Sequence, residues 1–369
     1  MLDNRAVPAP NLAISYEPLT YAELAGWAED DHAAALAAFV ASCPALKDKG
    51  RSSRKGQIRD RLARLCPMAG KARSNAVAAR RFFETHFTPH RIVTEAPGFL
   101  TGYYEPELDG ALERGAGFDV PLLSRPENLV DLVERALHAS ANETLAAGRR
   151  IGTEIVPYYT RAEIENGALD GEGLEIAYLK DPIDAYLLHV QGSGRIRLPD
   201  GRVLRVGYAG KNGYPYTSIG GLLVSRGVAS AEEMTLDRLR AWLAEDAERG
   251  RALMQENRSY IFFRRLPAAD AAAGPIGAQG VGLSKGRSLA VDASYHPLGL
   301  PIFVSSDAIV HHGASGFRRL MIAQDVGSAI RGPERGDIFW GTGKTAERLA
   351  GLTRHPGHFV VLLPKDTRR

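Results

Sequence analysis

The stretch AQDVGSAIRGPERGDIFWG, Ala323 to Gly341, carries Asp325 and Asp337 on the two flanks of a glycine-rich turn. Asp325 follows the apolar run LMIA and Asp337 precedes the run IFW, so each carboxyl falls at the end of a short strand with glycine close by. LAVDASYHPLG repeats the pattern at Asp292. Strand ends on a rigid scaffold present polar side chains without breaking a ladder, and glycines let a bulky ligand approach the backbone. A single such aspartate reads as a turn residue; three in one pattern read as a constellation.

Working outward, SYIFFR, SLAVD, LPIFVS, RRLMIAQD, DIFWG and HFVVLLP are short strands joined by turn-rich segments, which suggests a small closed barrel. The first hundred residues read as helical. They hold a capping box at Thr20–Glu23, an alanine-rich core helix over Ala33–Leu46, and Ser74 ahead of a helix with Val77, Phe82 and Phe83. GFLTGYYEPELDG (98–110) is an aromatic strand cut by Pro106 and Asp109-Gly110, a natural domain edge. Beyond it, helices at Leu129–Leu137, after a second capping box at Thr160–Glu163, and at Leu236–Ala247 mix with strands LEIAYL and AYLLHVQGSGRIRL. Strands on both sides of this mixed middle imply a discontinuous domain, 1–107 with 250–369, interrupted by an insert, 108–249, with the ligand groove between them.

The chain has 369 residues, 44% hydrophobic and 24% charged, and a net charge of +3, the profile of a soluble globular protein in which charge points to neither nucleic acid nor membrane. No run approaches the roughly 18 apolar residues of a membrane span. The opening MLDNRAVPAP lacks the layout of a secretory leader, so the chain is cytoplasmic or has lost its leader. Cys43 and Cys66 are either two buried thiols or, in an oxidising compartment, one disulfide.

Other motifs lead nowhere. GTGKT (341–345) lacks the glycine of a phosphate loop, since Ile338 stands there, and QGSGRI and GVGLSKG miss the third glycine of a dinucleotide fingerprint. There is no G-x-S-x-G elbow and no H-E-x-x-H, and His311-His312 reads as a hairpin tip. No metal or cofactor is expected.

TGYYEP (101–106), HVQGSGRIRL (189–198), GYAGKNGYPYTSIG (207–220) and ENRSYIFFR (256–264), with the three aspartates, resemble in the same order segments of the membrane-bound lytic murein transglycosylase A family, from about Leu12 to Leu363. The resemblance implies a mainly β fold with α+β parts: a six-stranded double-psi β-barrel domain and a smaller inserted α+β domain, with the sugar groove between them. It implies a peptidoglycan lytic exotransglycosylase. Such an enzyme cuts the β-1,4 bond between N-acetylmuramic acid and N-acetylglucosamine and leaves a 1,6-anhydro end.

By the same resemblance Asp337 is the acid/base, Asp325 its partner and Asp292 the third aspartate. Ile338, Phe339 and Trp340 would dry the catalytic carboxyl. Gly102, Tyr103, Tyr104, Gln191, Gly192, Ser193 and Gly194 line the groove. The protein would be a periplasmic monomer acting on glycan strands, outer-membrane-associated through a lipid anchor in its full-length form, with cell-wall synthesis or scaffold proteins as candidate partners. The leader and lipidation cysteine are absent from this chain, and in that compartment the Cys43–Cys66 disulfide is expected. Two alternatives are a glycoside hydrolase using two aspartates and water, and a peptidoglycan-binding protein without turnover.

Overall fold

The computed structural model describes residues 14–47, 54–72, 75–132, 137–140, 143–267, 274–310 and 316–365. The N-terminal MLDNRAVPAP, Ser74 and His311-His312 lie outside them. The chain divides into two compact units, Met1–Tyr104 with Ala272–Arg369, and Glu105–Ala271.

The first unit is built on strands β1 (Ser15–Pro18), β2 (Phe87–Val93), β3 (Phe99–Glu105), β4 (Ser288–Val291), β5 (Pro301–Ser306), β6 (Phe317–Asp325), β7 (Arg335–Thr342), β8 (Arg354–Pro356) and β9 (His358–Pro364). They form one sheet in the order β1-β2-β9-β5-β6-β4-β7-β3-β8. It is mixed: β4 runs parallel to β6 and antiparallel to β7, while β5 is antiparallel to both β6 and β9. β4, β5 and β6 are buried almost throughout, which is why they read as unbroken apolar runs rather than alternating ones.

Helices α1 (His32–Leu46), α2 (Arg54–Ala72) and α3 (Ala76–His86) supply Leu36, Phe39, Leu62, Phe82 and Phe83 to a core shared with Phe303, Leu320, Ile322 and Leu362 of the sheet. Asn75 caps α3, its side chain accepting from Ala78 N at 2.8 Å. The box at Thr20 is formed, but it closes only a single 3₁₀ turn, Tyr21–Glu23. Cys43 and Cys66 are joined in a disulfide that ties α1 to α2. Two buried polar links also pin the helices to the strands. Arg287 donates twice to Asp30 at 2.8 and 2.9 Å, and Gln324 on β6 donates to Ala38 O and Ser42 Oγ of α1 at 2.9 and 2.8 Å.

The second unit holds a six-stranded sheet in the order Ile261–Arg265, Val203–Lys211, Ser193–Arg197, Glu107–Ala111, Glu175–Leu179, Val120–Leu123. SYIFFR therefore pairs here and not with the other five strands of the expected barrel. For the same reason the division near 271 falls later than a boundary at 250.

Two elements differ from the sequence reading. The helix expected over Leu129–Leu137 opens as a strand: Leu129–Asp131 pairs with Ala147–Ile151, with Leu129 buried beside Tyr158 and Phe262, while 133–136 lie outside the described residues. AYLLHVQ is not a strand but the end of a helix, Pro182–Gln191, which Asp181 caps through Ile183 N at 2.8 Å and Gly192 terminates at φ 75°. Leu236–Ala247 is helical to Glu245, where Asp246 interrupts and caps a second helix, Ala247–Glu256.

Candidate active site

Asp325 and Asp337 meet through the register of β4. Ala290 is opposite Asp325 on its parallel side and opposite Asp337 on its antiparallel side, with a register shift between Leu289 and Ala290. Paired residues on adjacent strands share a face, so the two carboxyls flank one small side chain. β3 lies on the other side of β7. Alternation places Thr101 and Tyr103 on one face of β3, and Arg335, Asp337 and Phe339 on one face of β7.

These faces meet side chain to side chain. Thr101 donates its hydroxyl to Asp337 Oδ1 at 2.6 Å, and Arg335 Nη2 donates to Thr101 Oγ1 at 2.9 Å. Tyr103 donates to Asp325 Oδ2 at 2.9 Å, and its ring lies against Phe339 with centroids 5.3 Å apart. Asp325 Oδ1 accepts the backbone N–H of Ala278 at 2.8 Å and its neighbour Val326 at 3.0 Å.

Burial raises both carboxyls. Burial pushes Asp337 up to about 6 from 3.8; the Arg335 charge and the Thr101 hydrogen bond oppose this, and the Asp325 charge adds to it. Burial also raises Asp325, against three donors that favour its ionised form. Tyr103 is driven well above its usual value by burial and by both carboxylates, so it keeps its proton and remains a donor.

Asp292 shares no hydrogen-bond partner with this pair. It is buried just beyond β4, where its oxygens accept from Ser294 N and Gly332 N, each at 2.9 Å. Burial alone would raise it, but these hydrogen bonds and Arg331 outweigh burial and hold it below the ordinary aspartate value. It fastens one turn to another.

Of the remaining residues singled out in the sequence, Tyr103 alone touches the carboxyl pair. Gly102 faces Trp340, where an added Cβ would lie 2.5 Å from the indole nitrogen, so close packing accounts for this glycine. Tyr104 is buried and donates to Glu347 at 2.9 Å. In the second unit, Gln191 ends the Pro182–Gln191 helix, Gly192 is its left-handed cap, and Ser193 and Gly194 open the following strand in buried positions. Ile338, Phe339 and Trp340 are fully buried. Thr101 and Arg335 are the residues that sequence reasoning missed. Thr101 heads the TGYYEP segment, but nothing in a lone strand threonine marks it. Among the described residues no group of three or more His, Cys, Asp or Glu side chains could hold a metal.

Comparison with known proteins matches residues 99–264 to the MltA specific insert domain and residues 287–363, which contain all three aspartates, to the 3D domain. A membrane-bound lytic murein transglycosylase from Agrobacterium tumefaciens is 36% identical, with a TM-score of 0.86 over 95% of this chain and 98% of that one. The chain belongs to the MltA family. MltA from Neisseria gonorrhoeae is 32% identical, with a TM-score of 0.78 over 96% of this chain and 94% of that one. Membrane-bound lytic murein transglycosylase A of Escherichia coli K12 is 33% identical over 71% of this chain and 65% of its own length. The Vibrio cholerae relative is 39% identical over 54% of each. The matched region thus spans between half and two thirds of these curated MltA relatives.

Proposed function

We propose that this chain is a peptidoglycan lytic transglycosylase in which Asp337 is the single acid/base. The observation that carries the reading is the contrast in hydrogen bonding between two neighbouring carboxyls that burial raises alike. Asp337 titrates near 6, so part of it holds a proton near neutrality, and Thr101 is its only hydrogen-bond partner among the described residues. Asp325 has both oxygens engaged as acceptors, an arrangement that suits a fixed anion better than a proton carrier.

In this mechanism the Asp337 proton passes to the glycosidic oxygen between N-acetylmuramic acid and N-acetylglucosamine as the C1–O bond breaks. The resulting carboxylate takes the proton of the muramyl C6 hydroxyl, whose oxygen closes on C1 to give the 1,6-anhydro ring. Asp325 supplies negative charge that raises Asp337 and stabilises positive charge developing at C1. Water has no place in the balance, so no second catalytic base is needed.

Substrate class, fold detail and location belong to the same proposal. A solved MltA from E. coli, 26% identical with a TM-score of 0.66, is described with bound chitohexaose, a relative's glycan that supports a saccharide substrate here. The mixed pairing of β4 with β6 and β7 is compatible with a double-psi barrel in the first unit, with the second unit as the substrate domain. The Cys43–Cys66 disulfide favours an oxidising compartment such as the periplasm, and the relatives' names point to membrane association. The test is release of soluble muropeptides from purified sacculi: it is expected from the parent protein and not from Asp337→Asn, and release by that variant at the parental rate would refute the assignment.

A further inference from the structure

We propose that Thr101, held by Arg335, fixes which oxygen of Asp337 carries the transferable proton, and so acts as a positioning residue; this rests on the acid/base reading of Asp337. A threonine hydroxyl has one proton to give and two lone pairs, whereas a guanidinium can only donate. Arg335 Nη2 is 2.9 Å from Thr101 Oγ1, so that contact uses a Thr101 lone pair. Arg335 is itself anchored by donation to its neighbour's carbonyl, Gly336 O, at 2.6 Å, and its guanidinium lies over the Phe99 ring, 5.5 Å from its centroid. The Thr101 proton is thereby left for Asp337 Oδ1, at 2.6 Å.

A carboxyl oxygen that bears its own proton is the poorer acceptor. The obligate donor on Oδ1 therefore displaces the Asp337 proton to Oδ2, which makes no hydrogen bond among the described residues. One oxygen, Oδ2, then gives the proton to the leaving group and takes the next from the C6 hydroxyl, with no rotation of the carboxyl between the steps.

The hydroxyl also serves as a spacer. A guanidinium paired directly with a carboxylate lowers its pKa by about 1–3 units, which would leave Asp337 ionised and useless as an acid. Here the cation reaches the carboxyl through Thr101, and burial keeps the upper hand. A valine has the shape of threonine and could fill the same place on β3, so packing alone does not require the hydroxyl.

The experiment compares Thr101→Val, Thr101→Ser and Asp337→Asn in the full chain, following release of anhydro-muropeptides from sacculi across the acid-to-neutral range, with thermal unfolding as a folding check. Thr101→Val is expected to lose about 10- to 100-fold in kcat at unchanged KM. Its alkaline limb should move to higher pH, because the carboxylate has lost a donor that favoured ionisation. Thr101→Ser should restore both. If the valine variant does not fold, Thr101→Ala takes its place with the same expectations. Parental kcat and pH profile in the valine or alanine variant would overturn the proposal, as would a loss expressed only in KM with the limb unmoved. Activity retained by Asp337→Asn would instead refute the acid/base reading beneath it, so the two failures are distinct.

Discussion

Asp325 and Asp337 face the same residue, Ala290, from opposite sides of β4. Their closeness is a product of register, since the chain between them leaves the sheet at Asp325 and re-enters it at Arg335. The charge of Asp325 helps to hold Asp337 up, so Asp325→Asn should lower the Asp337 pKa and move the alkaline limb of the rate profile to lower pH. At neutral pH the rate should fall roughly tenfold for each unit of displacement. A pH profile of muropeptide release measures this, and a limb displaced upward would contradict it.

Asp337 also makes a statement about stability. Its carboxyl binds protons more tightly in the folded chain, at about 6, than at the ordinary 3.8. The associated stability is complete below the lower value and lost as pH rises through the higher one. Asp337→Asn removes that loss. The variant should be more stable than the parent by about 3 kcal/mol above neutrality and nearly equal to it in acid. Thermal unfolding at the two pH extremes checks both halves of the expectation.

Asp292 predicts the opposite pattern. Its pKa is lowered, so it contributes stability above the ordinary carboxyl range that is lost as pH falls through the depressed value. Asp292→Ala leaves Gly332 N and Ser294 N without their acceptor and should cost about 1–3 kcal/mol. Activity below the unfolding transition should change far less than in Asp337→Asn, and a complete loss in a folded Asp292→Ala protein would give this residue a chemical role.

The sequence displayed the carboxyl pair because one apolar run closes just before Asp325 and another opens just after Asp337, and β4, β5, β6, β7 and β9 were legible as apolar runs too. It misled where an apolar run has no period: YLLHV suits a buried helix as well as a strand. The signals that decide that case, Asp181-Pro182 before it and Gly192 after it, are at the ends. Leu129–Leu137 has helical spacing, but pairing with Ala147–Ile151 overrides it at Leu129–Asp131. Thr101 and its partners Arg335 and Asp337 lie more than 230 residues apart, and no local pattern announces a contact made only by the pairing of β3 with β7.

The Cys43–Cys66 bond closes a loop of 23 residues between α1 and α2, whose contribution from restricting the unfolded chain is about 3 kcal/mol. Cys43→Ser with Cys66→Ser should lower the unfolding midpoint by several degrees. Release of muropeptides well below that midpoint should persist, because both cysteines lie in helices α1 and α2 and neither bonds to Asp325 or Asp337. Parental thermal stability in the double variant would show that the bond does not stabilise the fold.

The most direct measurement is the mass of the saccharide ends left when the parent protein digests purified sacculi. A lone Asp337 moving one proton out and back predicts 1,6-anhydromuramyl ends, lighter by one water than hydrolysed ends, and none from Asp337→Asn. Reducing ends carrying that water, or the same anhydro ends from the asparagine variant, would contradict it.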